Sequence, residues 1–210
     1  NARNFRKEKA KNKKALQEQF GMNVDPGKMM IGIVSRLTDQ KGLDLVECIM
    51  DELCQDDIQF VVLGTGDEKY ENMFRHYDWK YHDKVSAQIY YSNEISHKIY
   101  ASCDAYLMPS LFEPCGLSQL IALRYGTIPI VRETGGLRDT VQPYNEFTGE
   151  GTGFSFADFN AHEMKDAMLL AMDCYHRPDA MKALIRHAME ADFSFTKSAC
   201  EYARLYLWML

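Results

Sequence analysis

Four short blocks of this sequence place anion- or sugar-binding residue types directly after apolar runs. Ser35-Arg36-Leu37-Thr38-Asp39-Gln40-Lys41-Gly42 follows Met29 to Val34. Two cations five residues apart, with a glycine and a helix start behind them, can converge on a diphosphate, the Arg as a planar fork and the Lys as a point charge. In Pro109-Ser110-Leu111-Phe112-Glu113-Pro114-Cys115-Gly116-Leu117-Ser118, a glutamate beside a proline precedes a glycine that lets backbone amides approach a ligand at a helix start. The other reading of that block is an acidic residue and a proline favouring a helix N-terminus. Glu133-Thr134-Gly135-Gly136-Leu137 is a glycine pair after another apolar run. Gly64-Thr65-Gly66 lacks the third glycine of a dinucleotide fingerprint, because Lys69 stands in its place, so a nicotinamide site is excluded and a tight turn opening a helix remains. No P-loop is present.

The elements that must position these blocks follow from periodicity. Apolar runs of strand length are Met29 to Val34, Phe60 to Leu63, Val85 to Tyr91, Ala105 to Met108 and Ile128 to Val131, with a sixth at Gly153 to Phe156. Helical patterns are predicted over 5 to 20, 43 to 53, 68 to 77, 95 to 102, 117 to 125, 161 to 175, 178 to 190 and 197 to 210. Strand and helix alternate, and the strands are continuously apolar, so the expected fold is α/β, a Rossmann-like parallel sheet covered on both faces. All three polar glycine-bearing blocks then fall at the carboxyl edge of one sheet, where such folds bind ligands.

The 210 residues suffice for a buried core, and the composition, 46% hydrophobic and 26% charged with 13 Gly and 6 Pro, excludes disordered and low-complexity classes. No apolar run approaches the roughly 20 residues that span a bilayer, so no membrane partner is expected. The net charge of −6 is uneven: residues 1–14 hold seven Lys or Arg (Arg3, Arg6, Lys7, Lys9, Lys11, Lys13, Lys14) against Glu8. The favoured reading of that cluster is a solvated helix face, and the acidic remainder opposes nucleic-acid binding. Six cysteines (Cys48, Cys54, Cys103, Cys115, Cys174, Cys200) include no C-x-x-C pair and no zinc-ligand spacing, so no metal is expected; thiols in apolar stretches such as that around Cys48 read as small hydrophobes.

Taken in order, Ser-Arg-Leu-Thr-x-Gln-Lys-Gly-Leu-Asp-Leu, Leu-Gly-Thr-Gly-Asp, Pro-Ser-x-Phe-Glu-Pro-Cys-Gly-Leu-x-Gln-Leu and Tyr-Gly-Thr-x-Pro-Ile-Val-Arg-x-Thr-Gly-Gly-Leu-x-Asp-Thr-Val closely resemble the bacterial and plant starch/glycogen synthase family, over about Asn12 to Tyr206. The resemblance implies the donor-binding C-terminal half of a two-Rossmann-domain (GT-B) retaining glucosyltransferase, which moves glucose from ADP-glucose, or UDP-glucose, to the non-reducing end of an α-1,4-glucan without a cofactor or metal. It implies that Arg36 and Lys41 neutralise the departing diphosphate and that Glu113 contacts the donor glucose. By the same resemblance Ser35 belongs to the donor site, Cys115 and Gly116 offer amides to sugar hydroxyls, and Leu117 and Ser118 present a helix N-terminus to the diphosphate. Tyr91 would stack on the base, Thr134, Gly135 and Gly136 would border the pocket, and His97 reads as structural.

Leu111 stands where many members carry Arg, and Phe195 replaces the commoner Trp. The family's N-terminal Lys-x-Gly-Gly-Leu loop occurs nowhere in the chain. The expectation is therefore a part of an enzyme: an interdomain helix at 1–20, a nucleotide-sugar-binding domain at 21–192, and a C-terminal helix at 193–210 that packs on a missing domain and leaves Tyr202, Leu205, Tyr206 and Trp208 exposed here. The acceptor glucan would be held mainly by that domain, in the cytoplasm of a bacterium or the plastid of a plant. The alternative is a non-catalytic nucleotide-sugar or glucan binding module.

Overall fold

Six apolar segments form one wholly parallel sheet in the computed structural model, which describes residues 4–209. The strands are β1 (Met29–Val34), β2 (Ile58–Leu63), β3 (Val85–Gln88), β4 (Ala105–Met108), β5 (Ile128–Arg132) and β6 (Phe154–Phe156), in the order β3-β2-β1-β4-β5-β6. Nine helices are described: α1 (Phe5–Gln19), α2 (Leu43–Leu53), α3 (Glu68–Lys80), α4 (Asn93–Ser102), α5 (Ser118–Tyr125), α6 (Gly135–Thr140), α7 (Ala161–Tyr175), α8 (Pro178–Glu190) and α9 (Phe195–Met209). The order reverses between β1 and β4, so the loops leaving those two strands diverge to opposite faces and open a crevice between them. The α/β Rossmann-like expectation holds. Residues 1–3 of the expected first helix and Leu210 of the last lie outside the described residues.

Burial explains the sheet. Every residue of β2 and β4 is buried, as are the first five of β1, because helices cover both faces. α4 lies so close over β1 that a Cβ at Gly32 would meet Ile99 Cγ2 and Cys103 Sγ. β3 ends at Gln88, paired with Leu63 at the end of β2, so the strand expected to reach Tyr91 stops short and Tyr91 lies in the loop before α4. α6 fills a segment read only as a glycine pair.

α1 departs furthest from its sequence reading. It runs beneath the amino-terminal edge of the sheet, and one face of it is tied to successive strands. Lys9 Nζ donates to Thr127 Oγ1 (2.6 Å), just before β5; Lys13 Nζ donates to Asp104 Oδ2 (2.7 Å), just before β4, and to the Lys28 carbonyl before β1; Gln17 Nε2 donates to Gln59 Oε1 (2.6 Å) in β2. From residue 9 to 17 the helix rises about 12 Å, close to the roughly 14 Å of three strand spacings. Lys9 and Lys13 are therefore buried, 9% and 4% exposed, where a solvated face was expected. Burial pulls the Lys9 ammonium down to about 8, partly offset by Asp104. Burial acts the same way on Lys13, but Asp104 and Tyr175 outweigh it and its pKa is raised.

α9 is exposed throughout its described length, including Tyr202 (62%), Leu205 (47%), Tyr206 (63%) and Trp208 (83%), as expected. All six cysteines are free; Cys54, Cys103 and Cys174 are buried, while Cys48, read as a small hydrophobe in an apolar stretch, is exposed on α2. Among the described residues no helix is long and apolar enough to cross a membrane.

Candidate functional site

The loops after β1, β4 and β5 meet at the carboxyl edge of the sheet because glycines let their backbones touch. Gly42, at φ 67°, lies against Pro109, whose carbonyl oxygen a Cβ would strike; Gly135 and Gly136 lie likewise against the carbonyls of Glu113 and Cys115. Gly136 N donates to Glu113 O (3.1 Å), and Leu111 N donates to Gln40 O (2.9 Å), so each loop borrows hydrogen bonds from its neighbour.

This packing brings Lys41 and Glu113 together. Lys41 Nζ stands 2.5 Å from Glu113 Oε2, with side chains 18% and 11% exposed. Ser110 Oγ, itself buried, donates to the same carboxylate oxygen at 3.3 Å. The pair is thus half-shielded and oriented, and both partners can be turned toward a ligand carrying phosphate and hydroxyl groups.

Two cavities adjoin it. One of about 160 Å³ is walled by Ser35, Arg36, Lys41, Tyr106, Ser110 and Ser118, in the crevice between β1 and β4. Here the N-terminus of α5 and two cations face one space, an arrangement suited to a diphosphate. The second, about 240 Å³, is walled by Ser35, Arg36, Thr65, Tyr90, Tyr91 and Ser96. Ser35 and Arg36 border both, and the Arg36 side chain makes no hydrogen bond or ion pair among the described residues. Tyr91 is 88% exposed, its ring open for stacking. The Gly64-Thr65-Gly66 turn runs beside Ser35 to Leu37, with Leu37 N donating to Thr65 O (3.0 Å), and so helps to form the second cavity.

Of the candidate residues, Ser35, Arg36, Lys41, Glu113 and Ser118 converge. Cys115 and Leu117 are exposed beside them, and the carbonyls of Cys115 and Gly116 each accept from Gln119 Nε2 at 3.0 Å, which orients that turn. Thr134, Gly135 and Gly136 border neither cavity; they buttress the Glu113 turn from behind. His97 lies outside both, its Nδ1 3.0 Å from Tyr125 Oη.

Sequence reasoning missed three supports. Arg132, at the end of β5, donates from Nε to Ser110 O (2.9 Å), from Nη2 to Leu111 O (2.5 Å) and from Nη1 to Ala157 O (3.3 Å). It thereby fastens the turn that carries Glu113; in the sequence it shows only as a charge ending an apolar strand and as one position of the Pro-Ile-Val-Arg block, neither of which points to the turn. Gln40 Nε2 donates to Phe112 O (2.9 Å) from the opposite loop. Tyr106 Oη donates to Val34 O (2.7 Å) and accepts from Val34 N (3.1 Å), fixing the end of β1; burial pushes its hydroxyl well above the usual range.

Comparison with known proteins shows the family and the fold. Residues 15–188 match the family described as Glycosyl transferases group 1. The chain is 67% identical over 204 residues to a glycogen synthase of Lachnospira eligens, covering 96% of this chain and 42% of that protein. It is 58% identical over 207 residues to a glycogen synthase of Lachnoclostridium phytofermentans, covering 98% and 43%. Its structure is similar to the catalytic domain of starch synthase IV from Arabidopsis thaliana bound to ADP and acarbose, with a TM-score of 0.88 and 34% identity, covering 99% of this chain and 43% of that one. The chain thus spans about two fifths of the length of the curated relatives it matches. With a family match across 15–188, a span that holds all three loops meeting at the carboxyl edge of the sheet, the chain belongs to the group 1 glycosyl transferases.

Proposed function

We propose that this chain is the donor-binding half of a GT-B retaining glucosyltransferase that transfers glucose from ADP-glucose to the non-reducing end of an α-1,4-glucan. The observation that carries this reading is the convergence of Arg36, Lys41 and the start of α5 on one crevice, with Glu113 held against Lys41. The donor diphosphate lies in the smaller cavity between Arg36, Lys41 and the amides of Leu117 and Ser118. The base occupies the larger cavity against Tyr91. The glucose lies toward Glu113 and the amides of Cys115 and Gly116, a turn that Thr134 to Gly136 support from behind.

In the transfer, the bond from the sugar C1 to the β-phosphate oxygen breaks as the acceptor 4-hydroxyl bonds to C1 from the same face. The acceptor proton passes to the departing phosphate oxygen. Charge gathers on the phosphate, and preorganised cations stabilise it there without a metal. Glu113 orients the sugar, its carboxylate held by Lys41 and Ser110.

The acceptor glucan is held mainly by a companion domain, against which α9 docks, with residues 1–20 leading in from it. The ADP complex of the related starch synthase supports ADP over UDP, and the relatives' bacterial sources support a bacterial cytoplasm over a plastid. Nucleic acid and membranes are not partners in this reading. Titration calorimetry of the chain with ADP and ADP-glucose tests it. Binding that is weakened in Lys41→Ala is expected, and no measurable binding by the unaltered chain removes the donor-site assignment. A binding module without catalysis would bind equally well yet give no glucose incorporation into glycogen once the companion domain is supplied.

A further inference from the structure

A cavity roomier than either of the two at the donor site lies at the other end of the sheet. About 490 Å³ lies beneath the amino-terminal edge, between α1, α8 and the turn at Val24 to Gly27. That volume is within the range of small-molecule sites. Five cations border it, Arg6, Lys9, Lys13, Lys14 and Lys182, against one carboxylate, Asp104, in a chain whose formal charge is −6. Asp104 is already engaged, its Oδ2 accepting from Lys13 Nζ (2.7 Å) and Met30 N (2.8 Å). Lys9 is buried and donates to neutral oxygens, Thr127 Oγ1 and the Ala101 carbonyl. Arg6 and Lys182 face the space from opposite walls, and their side chains make no hydrogen bond or ion pair among the described residues. Phe5, Met181 and Ile185 supply an apolar wall between them.

Lys13 is paired with Asp104 and Lys14 lies 3.8 Å from Glu18 Oε1, which leaves Arg6, Lys9 and Lys182 without a carboxylate. Such an excess of positive charge around a half-enclosed, partly apolar space calls for an anion, and a doubly charged one fits it better than a carboxylate does. We propose that this cavity is a second binding site, distinct from the donor crevice, for a small phosphorylated molecule with an apolar or ring-shaped body. The phosphate lies among Arg6, Lys14 and Lys182, with Lys9 and Lys13 behind it, and the body lies on Phe5, Met181 and Ile185. Because α1 ties four strands together, a ligand that neutralises its buried cations strengthens that tie, and the bound chain is expected to resist heat better.

The probe is phenyl phosphate, with phenol as its neutral counterpart, titrated calorimetrically into the chain with the donor site filled by ADP. Phenyl phosphate is expected to bind and to raise the melting temperature, phenol to do neither, and added salt to weaken the interaction. The double variant Arg6→Glu, Lys182→Glu, both at exposed positions, is expected to weaken binding at least about tenfold, while Lys41→Ala without ADP leaves it unchanged. Three results overturn the proposal: no binding up to about 10 mM, equal binding of phenol, or binding indifferent to the double variant but lost in Lys41→Ala. ADP binding is read separately, so failure here leaves the donor-site reading standing.

Discussion

Lys41 and Glu113, 72 residues apart in sequence, close on each other as an ion pair 2.5 Å long across the crevice between β1 and β4. A diphosphate arriving there competes with Glu113 for Lys41. Removing the lysine therefore costs a phosphate contact, whereas neutralising the glutamate releases the lysine to the phosphate. Lys41→Ala is expected to weaken ADP binding by about 1.5 to 3 kcal/mol, the scale of a charge-assisted hydrogen bond. Glu113→Gln is expected to keep or tighten ADP affinity while glucose transfer by the whole enzyme falls sharply. Calorimetry and an incorporation assay check the pair, and an equal loss of both quantities in Glu113→Gln would contradict the separate roles.

Gly136→Ala tests the contact between the β4 and β5 loops. The added methyl meets the Cys115 carbonyl and Cα, rigid backbone atoms, so the loops must part and the hydrogen bonds from Gly136 N to the carbonyls of Glu113 and Pro114 are disturbed. A destabilisation of about 1 to 3 kcal/mol is expected by denaturant titration, accompanied by weaker ADP-glucose binding. Stability and affinity both at wild-type level would show that the loops have room to spare.

Arg132 touches neither donor-site cavity yet holds the turn carrying Glu113 through two backbone carbonyls, Ser110 O and Leu111 O, while a third bond to Ala157 O fixes its own position. Arg132→Met is expected to lower the melting temperature and to weaken ADP-glucose binding more than ADP binding, since the sugar side of the site loses its support. Arg132→Lys restores one carbonyl contact at best, because an ammonium lacks the fork, so partial rescue is expected. Equal weakening for the two ligands would place the effect elsewhere.

Much of this was legible in the sequence, for local reasons. β1 and α2 fall where their patterns place them, Met29–Val34 and Leu43–Leu53, because a continuous apolar run and a helical stripe are flanked by punctuating polar and glycine residues. β3 was overread through Tyr90 and Tyr91, since aromatic residues favour strands but pairing ends where β2 ends. α6 carries two glycines in six residues and shows no periodicity. In the site, Arg36, Lys41 and Glu113 were marked by residue type and by position after strands. Arg132 and the burial of Lys9 were not, because their partners lie 21 to 118 residues away and no local pattern encodes them.

Lys9 gives a pH test of the underside. Its folded pKa of about 8 lies below the ordinary lysine value, so burying the charge weakens the fold at neutral pH. That penalty is complete below pH 8 and fades as pH rises from about 8 toward the unfolded value near 10.4, where the unfolded chain binds the extra proton. Lys9→Met keeps the stem and omits the charge. It is expected to match or exceed the unaltered chain by about 1 kcal/mol at pH 7, with that margin shrinking above pH 8. Urea titrations at pH 7 and pH 9.5 check this, and a margin that grows with pH would reverse the sign of the argument.

The latch beneath the sheet also bears on the order in which the chain can complete itself. α1 precedes all six strands, yet its anchors are Gln59, Asp104 and Thr127, lying 42, 91 and 118 residues from their partners on the helix. Contacts of such long sequence separation are closed late, because the intervening loop entropy must be overcome first. As the chain leaves the ribosome, Lys13 lacks its carboxylate until Asp104, just before β4, has been made, and Lys9 lacks Thr127 until the start of β5. A helix that precedes the whole sheet is then among the last of its elements to be seated, and the sheet's base stays open to solvent while the strands are being made.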